Sequence, residues 1–341
     1  MNVLYHVTMP PSPLPTCDAV VQEVDALRGR FGGEVVHLYP GRTPGSRIPR
    51  RWWGLQRLPA LRWLERQVDL HHVFNPDPFP FPVLRWLRRP VVYTVVAGVR
   101  ESGRDEAQRL ARRVHTLVVP TPDDLARLQG WSIDNAALVR PGLDLAHFSC
   151  TAIPAGQPPT LLLGSAPWTV EQFHSKGVEA LLELAQGMPE LHLVLLWRGL
   201  LVDEIARRVR ARGLEERVEV LNRQVDVNQV LARVHAAVAL AADETLIKAY
   251  PHSLLEALAA GRPVLVSRSI PMAACVERER CGVVVEGIDA HSLRAAVQRL
   301  LDDYAGYRQR ALAAAARTPT LTGMLDAYQQ IYKAAGVACE R

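Results

Sequence analysis

The sequence predicts an α/β protein of two doubly wound domains in tandem, each a parallel sheet between layers of helices. Three observations carry that prediction. Short apolar runs alternate with longer amphipathic segments from one end of the chain to the other, the pattern of parallel strands joined by crossover helices. A Pro, Gly and Ala stretch at residues 151–159 interrupts the pattern near the middle. The length of 341 residues suits two domains.

In the first half, strands are expected at 3–7, 34–38, 70–73, 91–95 and 116–119, where β-branched and aromatic residues gather. Helical periodicity fills the gaps at 19–27, 84–88, 107–114 and 123–128. The second half repeats the theme, with strands at 160–163, 192–196, 218–221, 237–240, 263–266 and 283–285. Helices are expected between them at 178–184, 202–212, 227–233, 253–260 and 291–301. The implied organisation is a first domain over 1–150, a linker over 151–159 and a second domain over 160–320. A C-terminal helix over 321–341 can pack back on the first domain. Open parallel sheets bind ligands beyond the carboxyl ends of their strands. Two such domains facing each other make one interdomain cleft, which suits a two-substrate enzyme.

Composition excludes several classes. Hydrophobic residues make up 48% and charged residues 22% of the chain, an ordinary globular balance. The longest apolar run, 91–99, falls far short of the ~20 residues that span a bilayer. The N-terminus has no basic region ahead of an apolar stretch, so no secretory signal is expected. Five cysteines without a CxxC pair suit neither a disulfide framework nor a zinc site, and point to a cytoplasmic protein. The net charge of +5 lies entirely in residues 1–150, which hold 19 Arg against 14 acidic residues. Lysine is rare beside arginine: Lys176, Lys248 and Lys333 are the only three.

Residues 248–266, KAYPHSLLEALAAGRPVLV, carry the most chemistry. Ser253 stands where it can cap a helix running to residue 260. A helix start offers free N–H groups and the positive end of a dipole, a site for a diphosphate. Ser253, Leu254 and Leu255 are the expected amide donors, and Glu256, one turn in, can accept two hydrogen bonds from a ribose diol. A first-turn acid favouring the helix dipole is the plainer account of Glu256. Lys176, ahead of the helix at 178–184, supplies a cation that can face a diphosphate. A surface lysine is the plainer account there.

Taken together, three segments resemble the retaining family 4 glycosyltransferases, the glycosyl transferases group 1, of GT-B architecture. They are RPGLDLAHF at 140–148, Lys176-Gly177, and 248–266 with its continuation CGVVVEGIDAHSLRAAV at 281–297. The resemblance covers residues 110–330 well and the rest in outline. It implies two Rossmann-like domains facing a cleft. It also implies a UDP- or GDP-sugar donor on the second domain, a hydroxyl acceptor on the first, and transfer with retention. The acceptor is then a glycan or a lipid-linked intermediate, and the nucleotide sugar is a co-substrate, with no cofactor. The base is expected against the loop after 218–221, where Arg223 and Val225 follow the strand.

The departures are specific. Lys248 stands where the family has the first Glu of its motif, inverting a charge beside the donor sugar. It can read a negatively charged donor such as a uronic acid, or supplement Lys176 at the phosphates. The family's Gly-Arg is replaced by Gly164-Ser165 and a longer loop, with Arg198 a candidate for the missing cation. Val96 takes the place of the family's histidine, leaving His71 and His72 as candidates on the acceptor side. The N-terminal Gly-Gly loop gives way to residues 9–19. No Asp-x-Asp pair ends a strand, so a metal-independent enzyme is expected.

Residues 46–66 and 84–89 interleave arginines with Trp52, Trp53, Trp63 and Trp86, and Arg51 and Trp52 are added to the acceptor-side candidates. An anionic membrane surface or a nucleic acid fits such a segment, as do half-buried tryptophans edged by arginine. Two further functions stay open: a DNA-modifying glycosyltransferase acting on a hydroxymethylated base, and a nucleotide-sugar binding protein whose catalytic pattern has decayed.

Overall fold

The computed structural model describes residues 1–41, 45–153, 156–197 and 199–337. The chain divides into two compact units, unit 1 comprising residues 1–142 with 321–341 and unit 2 residues 143–320. Residues 143–150 thus pack with unit 2. Part of the expected linker, residues 154–155, lies outside the described residues.

Unit 1 is built on six parallel strands: β1 (Val3–Val7), β2 (Glu34–His37), β3 (Leu70–Asn75), β4 (Val91–Val95), β5 (Thr116–Val119) and β6 (Ala136–Leu138). Their order in the sheet is β2-β1-β3-β4-β5-β6. Successive side chains alternate between two cores. Leu4, Val73 and Tyr93 enter one face; Val3, Tyr5, Phe74 and Val92 enter the other. Helices α1 (Ala19–Phe31), α2 (Leu58–Leu64), α3 (Arg104–Ala111) and α4 (Pro122–Gly130) connect the strands. Asp18 caps α1 through the amides of Val20 and Val21, and Thr121 caps α4 through that of Asp124.

Two expectations are corrected here. The helix expected at 84–88 is a 3-10 turn, Pro82–Trp86. Pro82 starts it and Pro90 lies too close downstream for a further turn. Strand β6, Ala-Ala-Leu, was not expected, because its short, alanine-rich run has little strand propensity of its own.

Unit 2 repeats the plan with β7 (Thr160–Leu163), α5 (Gln172–Ser175), α6 (Val178–Gly187), β8 (His192–Leu196), α7 (Val202–Arg210), β9 (Val218–Leu221), α8 (Val227–Leu231) and β10 (Ala236–Ala239). It continues with α9 (His252–Ala259), β11 (Val264–Ser267), α10 (Met272–Glu279), β12 (Gly282–Val285), α11 (Ala290–Asp302) and α12 (Tyr304–Ala315). The strand order is β12-β11-β10-β7-β8-β9, all parallel. The order reverses between β7 and β10 in unit 2, and between β1 and β3 in unit 1. Crevices beyond the carboxyl ends of strands at such reversals hold ligands in doubly wound sheets.

The chain then returns to unit 1 with α13 (Leu321–Val337), which packs on α1, β3 and β4. Met324, Tyr328 and Tyr332 fill the same core as Phe74 and Val92. Tyr328 Oη and Thr94 Oγ1 share a hydrogen bond at 3.0 Å. Tyr332 Oη meets His72 Nδ1 at 2.5 Å.

Candidate functional site

At the reversal point of unit 2, β7 runs into Gly164 and Ser165. A β-carbon on Gly164 would stand 2.5 Å from the Ser253 β-carbon and 2.8 Å from its hydroxyl. Only a residue without a side chain lets the start of α9 come so near the strand end. Gly177, at the start of α6, has φ +69°. A β-carbon there would lie 2.4 Å from Leu240 Cδ1, just past β10. Both glycines draw loops together at one point of the sheet edge.

Three polar groups gather there. Lys176 is only 3% exposed, and its Nζ donates to the Ala166 carbonyl at 3.4 Å. Its neighbour in that loop, Ser165, is 6% exposed, and its hydroxyl is buried with no hydrogen-bond partner. Such an orphan is uncommon in a protein interior. Ser253 supplies the third group. The structure corrects its expected role, because Pro251 occupies the N-cap position and no side chain caps α9. The amides of Leu254 and Leu255 both bond to the Pro251 carbonyl, at 3.0 and 3.2 Å, and their side chains are buried. Those two are therefore not available as donors. Ser253 remains, its amide and hydroxyl unpartnered among the described residues.

Glu256 lies one turn further on and is half-buried. Burial raises its pKa, against the opposing pull of His252 and His147. His147 belongs to the turn after Asp144, and its carbonyl accepts from Asn228 Nδ2. Lys248 Nζ lies 3.4 Å from His252 Nε2, so Lys248, His252 and Glu256 form one cluster at the head of α9. Arg223 is exposed and Val225 packs on the core beside α8. Both follow β9, two strands from β7 and therefore ~10 Å along the same edge. Arg198 lies outside the described residues. Among those described, no three His, Cys, Asp or Glu side chains are grouped as metal ligands.

In unit 1 the expected acceptor-side histidines are corrected. His71 and His72 are fully buried, early in β3 and ~10 Å short of its carboxyl end. His71 Nε2 meets Glu65 Oε1 at 3.0 Å and its Nδ1 meets His6 at 2.9 Å. Burial would raise the Glu65 pKa, but hydrogen bonds from His71 and the amides of Arg88 and Arg89 hold it at about 2. His72 bonds Tyr332 and Thr94, and burial pushes its pKa down to about 3. Every ring nitrogen of these two residues is engaged, so neither reaches an acceptor. Val96 follows β4 at the right edge, but its side chain is buried and apolar and offers no proton chemistry.

Sequence reasoning missed the group that does occupy this edge. Thr8, just past β1, donates to the Asn75 side-chain carbonyl at the end of β3. Asn75 Nδ2 reaches Asp77 Oδ1 at 2.7 Å. Arg50 binds Asp77 through both terminal nitrogens and Asn75 at 3.1 Å, with its guanidinium 4.4 Å above the Phe79 ring. The residues Asn-Pro-Asp-Pro directly after an apolar strand were the available signal. Arg51 and Trp52 lie on the exposed side of the same turn as Arg50.

Residues 170–318 match the family model described as glycosyl transferases group 1. D-inositol 3-phosphate glycosyltransferase of Corynebacterium diphtheriae is 26% identical over 285 residues, covering 70% of this chain and 64% of that protein. The chain thus matches a little under two thirds of that relative's length. Among solved structures, sucrose-phosphate synthase from Thermosynechococcus elongatus superposes with a TM-score of 0.72 at 17% identity, covering 99% of this chain and 100% of that one. Anabaena HepE in complex with UDP and glucose gives 0.68 at 15%, covering 97% and 98%. WaaG, a glycosyltransferase involved in lipopolysaccharide biosynthesis, gives 0.66 at 16%, covering 99% of each. The chain therefore carries a glycosyl transferases group 1 domain across residues 170–318, within a GT-B fold of two parallel six-stranded sheets.

Proposed function

We propose that the protein is a retaining, metal-independent glycosyltransferase that moves a sugar from a nucleoside-diphosphate sugar to a hydroxyl of a glycan or lipid-linked acceptor. The carrying observation is the convergence at the β7–β10 reversal point of buried Lys176, the unpartnered Ser165 hydroxyl and the unpartnered Ser253 amide. All three are donors, and a diphosphate supplies acceptors for them. Ser165 takes over as a neutral donor where the family's arginine would stand. In the reaction, the bond from the anomeric carbon to the β-phosphate oxygen breaks and the phosphate takes the electron pair. The acceptor oxygen bonds to that carbon and gives its proton to the departing phosphate. Lys176 and the helix start stabilise charge that grows only as the bond breaks, so they lower the barrier as well as binding donor. Glu256 is assigned to the ribose hydroxyls, the loop at Arg223 and Val225 to the base, and the Thr8–Asn75–Asp77–Arg50 group to the acceptor side. Among the described residues, Cys17, Cys150, Cys275 and Cys281 are thiols outside any disulfide, which accords with the reducing cytoplasm, where we place the reaction.

The DNA-directed and decayed readings draw no support from a specific residue of either unit. Calorimetric titration with UDP and GDP tests the donor assignment. Glu256→Ala should weaken nucleotide binding by ~1–3 kcal/mol, as loss of charged hydrogen bonds does. Unchanged affinity would remove Glu256 from the site.

A further inference from the structure

Exposed large apolar side chains are concentrated on unit 1. Ile48, Trp52, Trp63 and Trp86, between 44% and 60% exposed, are four of the seven such residues among those described. They share one packed layer. Trp52 ends the turn Arg50–Trp52, Trp86 ends the turn Pro82–Trp86, and the two turns touch. A β-carbon on Gly54 would stand 2.8 Å from Val83, so the chain after Trp53 lies directly on the second turn. Trp63 is two residues from Glu65, whose carboxylate takes the amides of Arg88 and Arg89 just beyond Trp86. Trp53, by contrast, is held: its Nε1 donates to the Ile48 carbonyl at 3.0 Å and its ring packs edge-on to Tyr39.

The charge on this layer is one-sided. Residues 46–89 carry nine arginines against three acids, +6, while the whole chain carries +5. Arg47, Arg51, Arg57, Arg66, Arg85 and Arg88 are exposed, and none has a carboxylate partner among the described residues. The two buried or half-buried acids, Glu65 and Asp77, are spent on His71 and Arg50. Arg113 adds to the excess, with burial and the neighbouring Arg85 both pushing its pKa down. A surface this basic beside this much exposed indole needs an anionic partner with an apolar layer beneath its charges.

We propose that this face seats unit 1 on an anionic lipid bilayer, with Ile48, Trp52, Trp63 and Trp86 in the interfacial layer and the surrounding guanidiniums on lipid headgroups. Indole rings favour the boundary between headgroup and acyl chain, and basic residues add electrostatic attraction to anionic lipid. A polynucleotide would neutralise the arginines but leave Ile48 in water. The face borders the ligand edge of its own sheet, because Arg50 reaches from the Trp52 turn to Asp77 and Asn75 at the end of β3. Resting on the glycosyl-transfer reading, the acceptor is then a membrane-borne amphiphile whose headgroup hydroxyl meets that edge. The bilayer contact itself does not depend on that reading.

The full chain should sediment with phosphatidylglycerol-containing vesicles and not with phosphatidylcholine vesicles, with a blue-shifted tryptophan emission and binding that falls as salt rises. Trp52→Ser/Trp63→Ser/Trp86→Ser should lower partitioning at least ~10-fold. Arg51→Gln/Arg85→Gln/Arg88→Gln, which leaves the apolar layer untouched, should abolish the preference for anionic vesicles. UDP titration of each variant reports whether unit 2 is intact, and circular dichroism reports unit 1. No partitioning by the wild type, or partitioning of both variants equal to that of the wild type, overturns the proposal. Binding to single- or double-stranded DNA without vesicle partitioning overturns it in favour of a nucleic acid. Vesicle binding without nucleotide binding leaves this face standing and sinks the donor site instead.

Discussion

Replacing Gly164 by alanine places a methyl carbon 2.5 Å from the Ser253 β-carbon and 2.8 Å from its hydroxyl. Carbon atoms in contact settle near 3.5–4.0 Å, so α9 must retreat from the strand end by about 1 Å. Overpacking of that size costs ~1–3 kcal/mol, which lowers the melting temperature of a domain as large as unit 2 by several degrees. The displaced element is the one that presents the Ser253 amide. A misplacement of ~1 Å at a reacting centre costs on the order of 100-fold in rate. Gly164→Ala should therefore lose both stability and transfer activity. The double variant Gly164→Ala/Ser253→Gly separates these effects. It removes the two clashing atoms and leaves the Ser253 α-carbon, 3.9 Å away, as an ordinary contact. Stability should return toward wild type, while activity stays reduced for want of the serine hydroxyl. Melting curves and UDP titration on the three proteins decide the matter. A neutral single variant, or a double variant no more stable than the single, refutes the close approach of β7 and α9.

At Lys248, Lys248→Ala should cut transfer by ~10- to 1000-fold if the side chain stabilises developing charge. Lys248→Glu, which restores the family residue, should shift preference toward neutral hexose donors; wild-type rates for both variants with every donor would make Lys248 a bystander. Acid should weaken unit 1 from about pH 6.5 downward. His72 has a folded pKa of about 3 against an ordinary 6.5, so between those values the unfolded chain takes a proton that the folded chain refuses. The loss approaches ~4 kcal/mol by pH 3. Glu65, held at about 2 against 4.5, adds a loss of the same sign below pH 4.5. Calorimetry from pH 7 to pH 4 should show the slope, and His72→Gln should reduce it; a slope unchanged by that substitution would place the sensitivity elsewhere.

Strand positions were legible because they follow from periodicity, which is local in sequence. The close approaches of Gly164 to Ser253 and of Gly177 to Leu240 were not, because only the fold brings those residues together. His71 and His72 were misread for a physical reason. A strand buried on both faces reads as one unbroken run, so nothing in Leu-His-His-Val-Phe says which side chains meet a ligand and which meet a core. Ser253 was placed at the cap by residue type alone. Pro251, with its fixed φ and extended backbone, starts the helix two residues earlier and closes its own carbonyl onto Leu254 and Leu255. Arg50 and Asp77 are separated by 27 residues, and no local pattern announces a pair that only tertiary folding creates. The buried Ser165 hydroxyl was visible in the sequence as a missing arginine, and its lack of a partner only in three dimensions.

Unit 1 is discontinuous: α13, which completes one of its two cores, is separated from the rest by the 178 residues 143–320. During synthesis, the sheet of unit 1 leaves the ribosome with the face bearing Phe74 and Val92 uncovered, and the His72 and Thr94 side chains without their tyrosine partners. At ~5–20 residues per second, the intervening stretch takes roughly 10–40 s to make. Unit 2 can close in that interval, but the N-terminal half of the protein waits for its last helix. A nascent chain of this kind presents a sticky apolar sheet for tens of seconds, which makes it a natural client for chaperones that hold emerging chains. Loss of α13 would leave that sheet face permanently open.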